Sequence, residues 1–113
     1  RIIVLVNKKS ASDSEIFAGE MQDWGYQVVG EKTRGKGVGQ SLYFPLRNYG
    51  ALRITTHEFF VGNGGVPVQG KGIMPYFYVE DTRDPDSFED TMTSTDAEFM
   101  RALELVEEIE QKE

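Results

Sequence analysis

The chain has 113 residues, no Cys and a formal net charge of −7; it fits one domain able to bury a core without a disulfide or structural metal, and thiol catalysis and thiolate zinc sites are excluded. The charge is uneven, with six Lys/Arg against five Asp/Glu in residues 1–40 and six against fourteen in residues 41–113, which argues against nucleic acid as the main partner because phosphate binding calls for a clustered basic face. No apolar stretch reaches the roughly 20 residues of a membrane-spanning helix.

Arg1 already lies inside the first strand pattern, without Met before it, so the chain reads as a piece of a longer protein. Arg1 to Asn7 is a continuous apolar run, the pattern of a strand covered on both faces in a parallel α/β sheet. Ser12 or Ser14 opens a helix, Ser12-x-x-Glu15 matches a capping box, and Ile16, Phe17, Met21 and Trp24 form its apolar face up to a stop at Gly25. A short strand over Tyr26–Val29 precedes the loop Gly30-Glu-Lys-Thr-Arg-Gly-Lys-Gly-Val-Gly39. Gln40–Leu46 and Ala51–Phe60 then read as a hairpin around Arg47–Gly50, the second strand alternating Leu52, Ile54 and Thr56 with Arg53, Thr55 and His57. Turns follow at Gly62–Gly65 and Gly70–Gly72, and a short strand over Tyr76–Glu80. Residues 80–96 hold seven acids and one Arg and predict a long exposed loop. Residues 96–112 close the chain as an amphipathic helix with Phe99, Leu103, Val106 and Ile109 on one face.

Small hydroxyl residues at a strand-to-helix junction, Ser10-Ala-Ser12-Asp-Ser14, can expose a nucleophile beside free backbone donors. A serine needs a base, and a lysine serves as one when burial lowers its pKa toward roughly 7–8. Lys36 stands between Gly35 and Gly37, a setting that lets the backbone approach its neighbours closely. Gln40 could hold the amine by a hydrogen bond, and the Asp13 N–H at the helix start is a natural donor for a developing oxyanion.

Several motifs in order resemble those of the C-terminal processing peptidases, also called tail-specific proteases. They are Val4-Leu-Val-Asn7 followed by Ser10-Ala-Ser-Asp-Ser-Glu-Ile16, Met21-Gln-Asp-Trp-Gly25, Gly30-Glu-Lys-Thr-Arg-Gly-Lys-Gly37 with Gln40, and Gln69-Gly-Lys-Gly-Ile-Met-Pro75. The resemblance covers the chain almost to its end. It implies an α/β, crotonase-like catalytic-core fragment, a single partial domain over residues 1–113 with a small mixed sheet, a nucleophile-bearing helix and the C-terminal helix. It further implies Ser12 as nucleophile, Lys36 as general base, Gln40 as its orienting partner and Asp23 as a supporting acid, with polypeptide substrates, no metal or organic cofactor, a PDZ domain in the parent protein and export in bacteria. Three positions depart from the family pattern: Asp13 replaces the usual Ala, Arg34 an aromatic, and Tyr76 an acid. The family's glycine-rich segment upstream of the first strand, expected source of a second oxyanion donor, lies outside the sequence.

Other chemistries fit less well. His57 sits within an alternating strand, unlike a triad histidine. Gly30-x-x-x-x-Gly35-Lys36 imitates a phosphate loop but has Gly37 where Ser or Thr would hold magnesium. The acids of residues 80–96 lack the regular spacing of a calcium loop. The runner-up to a peptidase is a non-catalytic interaction domain of the same fold that binds peptide along an edge such as Gln40–Leu46. A half-core leaves sheet edges that dimerisation or strand exchange would cover.

Overall fold

A computed structural model describes residues 2–43, 50–83 and 91–112. Strands β1 (Ile3–Val6), β2 (Gln27–Gly30) and β7 (Phe77–Tyr78) form a parallel sheet in the order β1-β2-β7. Helix α1 (Asp13–Asp23) links β1 to β2, and helix α2 (Ala97–Glu110) ends the described chain. Between β2 and β7 lie two antiparallel pairs, β3 (Val38–Tyr43) with β4 (Leu52–Glu58) and β5 (Phe60–Val61) with β6 (Val66–Pro67).

The sheet is covered on both faces only at its central strand. Val28 joins Val4, Val6, Ala18, Met21, Val61, Val68 and Ile73 in one apolar cluster, while Val29, which points to the opposite face by strand alternation, is equally buried. Helix α2 contacts β1 and β2 and contributes Ala102 and Leu105 to the interior. β1 is an edge strand; Leu5 is exposed, so the two-sided coverage expected of the first apolar run holds for β2 and not for β1.

Helix α1 starts at Ser12 and stops before Gly25 (φ 87°), as its capping residues predict. Its inward face matches the predicted one only at Met21, which is buried, and Ile16, which packs against the core. Glu15, Ala18, Gly19 and Met21 are buried, whereas Phe17 and Trp24 are 57% and 69% exposed. The reason is close packing: a Cβ on Gly19 would lie 2.8 Å from Val61, so only small residues fit where α1 meets β5. The buried face of helix α2 also differs from the predicted one, with Glu98, Ala102 and Leu105 inward and Leu103 exposed.

The predicted hairpin is present as β3 and β4, with a register shift at Gly39/Gln40; its turn residues 47–49, and 44–46 of the expected first strand, lie outside the described residues. Every residue of β4 is exposed, so its alternation does not separate a buried face from a wet one. The described part of the predicted acidic loop is free of helix and strand and largely exposed, but Asp81 and Arg83 are half-buried and its last residue turns inward. Asp96 is buried as the N-cap of α2, accepting from Phe99 N–H, and Arg83 binds Asp81 and Asp96 at 2.8 Å each. Acidic composition predicted solvation there, but Arg83 pairs the acids and makes their burial tolerable. Residues 84–90 of that segment lie outside the described residues.

Candidate active site

Ser12 sits at the turn from β1 into α1 with φ 58° and ψ −122°, a left-handed backbone that costs a non-glycine residue of order 1–3 kcal/mol unless its surroundings enforce it. The surroundings are specific. Asn7 N–H donates to Ser10 Oγ (3.1 Å), Ser10 N–H to the Asn7 carbonyl (2.9 Å), and Arg34 N–H to the Ser10 carbonyl (2.9 Å). The serine turn is therefore pinned to the strand before it and to the glycine-rich loop after β2.

Glu15 ties the two segments together. Its carboxylate accepts from Ser12 N–H (3.0 Å), Gly35 N–H (2.6 Å), Lys36 N–H (2.8 Å) and the Thr33 hydroxyl (2.5 Å), and the side chain is fully buried. Burial by itself would raise its pKa, but the bonds from Thr33, Gly35, Lys36 and Ser12 outweigh that cost and hold the carboxyl below its ordinary value. The Glu15-to-Ser12 bond is the capping-box contact legible in the sequence; the three bonds to residues 33–36 are not.

The Gly-Lys-Gly segment is clamped from its other side by the Gln69–Ile73 turn. Gly37 N–H donates to Gln69 Oε1 (2.9 Å), Gly70 N–H to the Gly35 carbonyl (2.9 Å), and Ile73 N–H to Thr33 Oγ1 (2.7 Å). A Cβ on Gly37 would fall 2.1 Å from the Gln69 backbone nitrogen, which leaves no room for any side chain there. Lys36 is thus presented between two glycine positions, its backbone held from both sides and its residue half-buried.

Ser12, Asp13, Lys36 and Gln40 come together on the wall of one open cavity of about 380 Å³, completed by Gly39, His57 and Phe59. Asp13 opens α1, so its N–H belongs to a first turn whose donors have no intrahelical acceptor; its exposed side chain also borders a neighbouring cavity along β1. The Gln40 amide is engaged across the ribbon, accepting from Arg53 (3.2 Å) and donating to Thr55 (3.5 Å). His57 Nδ1 lies 2.7 Å from Thr56 Oγ1. Asp23 is elsewhere, at the far end of α1, about 16 Å along a helix of that length, lining a separate cavity with Gly62, Met74 and Tyr76. Sequence reading missed Thr33 and Gln69 as organisers and saw Glu15 only as a cap.

The buried Glu15 carboxylate thus holds the backbones of the strand-to-helix serine and of the glycine-framed lysine beside one cavity, and comparison with known proteins shows the family of the chain. The family model described as peptidase family S41 matches residues 1–79. A carboxy-terminal-processing protease of Bartonella bacilliformis is 45% identical over 80 residues, covering 70% of this chain and 18% of its own length. A carboxyl-terminal-processing protease of a Picosynechococcus strain is 37% identical over 106 residues, covering 93% and 25%. Among solved structures, a photosystem II D1 C-terminal processing protease superposes with a TM-score of 0.63 at 30% identity, over 69% of this chain and 20% of that one. The chain belongs to peptidase family S41. It spans a quarter or less of the length of these relatives.

Proposed function

We propose that this chain is the catalytic-core segment, one partial domain of crotonase-like type, of a serine endopeptidase that cleaves polypeptides near their C-termini. The observation that best supports this reading is the single buried carboxylate of Glu15, which binds the backbones of both Ser12 and Lys36 beside the cavity they share. Ser12 Oγ attacks the peptide carbonyl while Lys36 Nζ, as general base, takes the hydroxyl proton. The negative oxygen of the tetrahedral intermediate is met by the Asp13 N–H. Collapse breaks the C–N bond, Lys36 returns its proton to the leaving amine, and Ser12 is left as an acyl ester. Water, deprotonated by Lys36, then attacks the ester and releases the acid. Gln40, on the same cavity wall, orients the lysine once it exchanges its bonds to Arg53 and Thr55, and Asp23 supports the far end of α1. A PDZ domain in the parent protein, export in bacteria and strand exchange or dimerisation at open sheet edges complete this reading.

A second reading is favoured by two observations. Asp13 places a carboxylate beside the oxyanion donor, where an inward orientation opposes the developing charge, and the β3–β4 ribbon pairs with no further strand among the described residues, an arrangement suited to peptide addition. On that reading the chain binds peptides without cutting them. Proteolysis assays on the intact protein separate the two: Ser12→Ala and Lys36→Ala should each lower peptide turnover by at least about 10³-fold with peptide binding retained, and undiminished turnover in Ser12→Ala would refute the peptidase reading.

A further inference from the structure

Glu98, in the first turn of α2, is 4% exposed, and its Oε1 has no hydrogen-bond partner among the described residues. Its Oε2 reaches Arg83 at 3.5 Å, but that guanidinium is bound more closely by Asp81 (2.8 and 2.9 Å) and Asp96 (2.8 Å). Glu31, just after β2, faces the same group; it too is buried, with Oε2 lacking a hydrogen bond and standing 3.8 Å from Lys8 Nζ, just after β1. Among the described residues, Arg83 thus faces three carboxylates, Asp81, Asp96 and Glu98, and Glu31 has the looser ammonium of Lys8. Burial first, then the charges of Asp81, Asp96 and Glu31, push the Glu98 carboxyl up to about 7, with Arg83 opposing them only in part.

The backbone beside Glu98 offers a partner to one of its two protonation states. Gly30 ends β2 at φ 127°, and a Cβ there would lie 1.9 Å from the Val6 carbonyl oxygen and 2.9 Å from Glu98 Oε1, so the carboxyl and the carbonyl face the same small space. The Val6 carbonyl accepts from Glu31 N–H (3.0 Å), and a carbonyl oxygen carries two lone pairs. A neutral carboxyl has a proton to give it; a carboxylate has only acceptors and a buried charge.

We propose that Glu98 is a protonation-operated latch: its neutral carboxyl fastens the first turn of α2 to the ends of β1 and β2, and its ionisation loosens that turn. The latch does not depend on the peptidase reading. Its position gives it reach, because the cavity of about 190 Å³ beside it is lined by Val6, Asn7, Ser10, Arg83 and Asp96 as well as Glu98. Asn7 and Ser10 are the residues whose mutual bonds shape the serine turn. A carboxyl raised in the native state stabilises fully below its unfolded-state value, and that stabilisation is lost as pH rises through about 7.

The test is backbone hydrogen exchange on the full chain at about pH 5.5 and about pH 8, corrected for intrinsic rates. Protection in α2, relative to α1, should fall by roughly tenfold or more on going to the higher pH, because an opening that releases one proton becomes easier by up to tenfold for each step of one in pH. Glu98→Gln, which keeps the shape and a donor, should abolish that dependence. Equal α2 protection at both pH values, or an unchanged dependence in Glu98→Gln, would overturn the latch. Should the variant fail to fold, ¹³C titration of the wild-type carboxyl decides: a midpoint near 7 supports the latch, and one in the ordinary carboxylate range refutes it.

Discussion

Glu15 and Glu98 are the same side chain in nearly the same place, each buried in the first turn of a helix packed on the same parallel sheet. Their surroundings drive them in opposite directions. Glu15 is met by three backbone N–H groups and a hydroxyl, and its pKa falls. Glu98 shares one guanidinium with two other carboxylates, has one oxygen without a hydrogen bond, and is pushed up to about 7. Burial is common to both, so the donors aimed at Glu15 and the carboxylates gathered around Glu98 decide the outcome. One end of the molecule uses a charge to hold a site rigid, and the other leaves a charge poised to be relieved by a proton.

The comparison can be broken most severely at Glu15. Glu15→Gln sets an amide N–H₂ against some of the four donors and removes the carboxylate charge they bind, so unfolding should cost about 2–4 kcal/mol less, with loss of any Ser12-dependent turnover, read by denaturant unfolding and peptide assay. Gly37→Ala should be nearly as damaging, because its Cβ would meet the Gln69 backbone and displace the lysine-bearing segment. Glu98→Gln should act in the other direction. It removes a buried charge at high pH, raising Tm by about 5 °C at pH 8 and changing it little near pH 4.5, where the wild-type carboxyl is already neutral. The smallest effect is expected from Thr33→Val, which removes one of the Glu15 donors and should cost about 1 kcal/mol. The signs of the pH effects are opposite. Glu15 contributes stability above the ordinary carboxyl value that is lost as pH falls through its lowered native value, whereas the contribution of Glu98 is lost as pH rises through about 7.

Locally encoded features were legible in the sequence. Ser12 and Gly25 delimit α1, Asp96 begins α2, and the β3–β4 ribbon follows from its patterning. The serine turn and the glycine-framed lysine were legible as motifs, and the fold brings them to one cavity. What was not legible depends on partners distant in the chain. Hydrophobic periodicity pointed Phe17 and Trp24 inward because it assumes that the most apolar face is the buried one. The sheet instead receives Ala18 and Gly19, which allow close approach, and Glu15, which is buried for its hydrogen bonds. In the same way, composition could not reveal that Arg83 draws Asp81, Asp96 and Glu98 out of solvent. Glu15 turns inward because residues 33–36 satisfy it, and Asp81, Asp96 and Glu98 gather because Arg83 draws them together; neither contact shows in a linear pattern.

The most direct test of the Ser12–Lys36 assignment is mass spectrometry of the intact protein quenched during peptide turnover. A peptide-derived acyl adduct on the fragment containing Ser12, absent from Ser12→Ala and Lys36→Ala, is the predicted result; an adduct on another residue, or turnover that continues in Ser12→Ala, would contradict it.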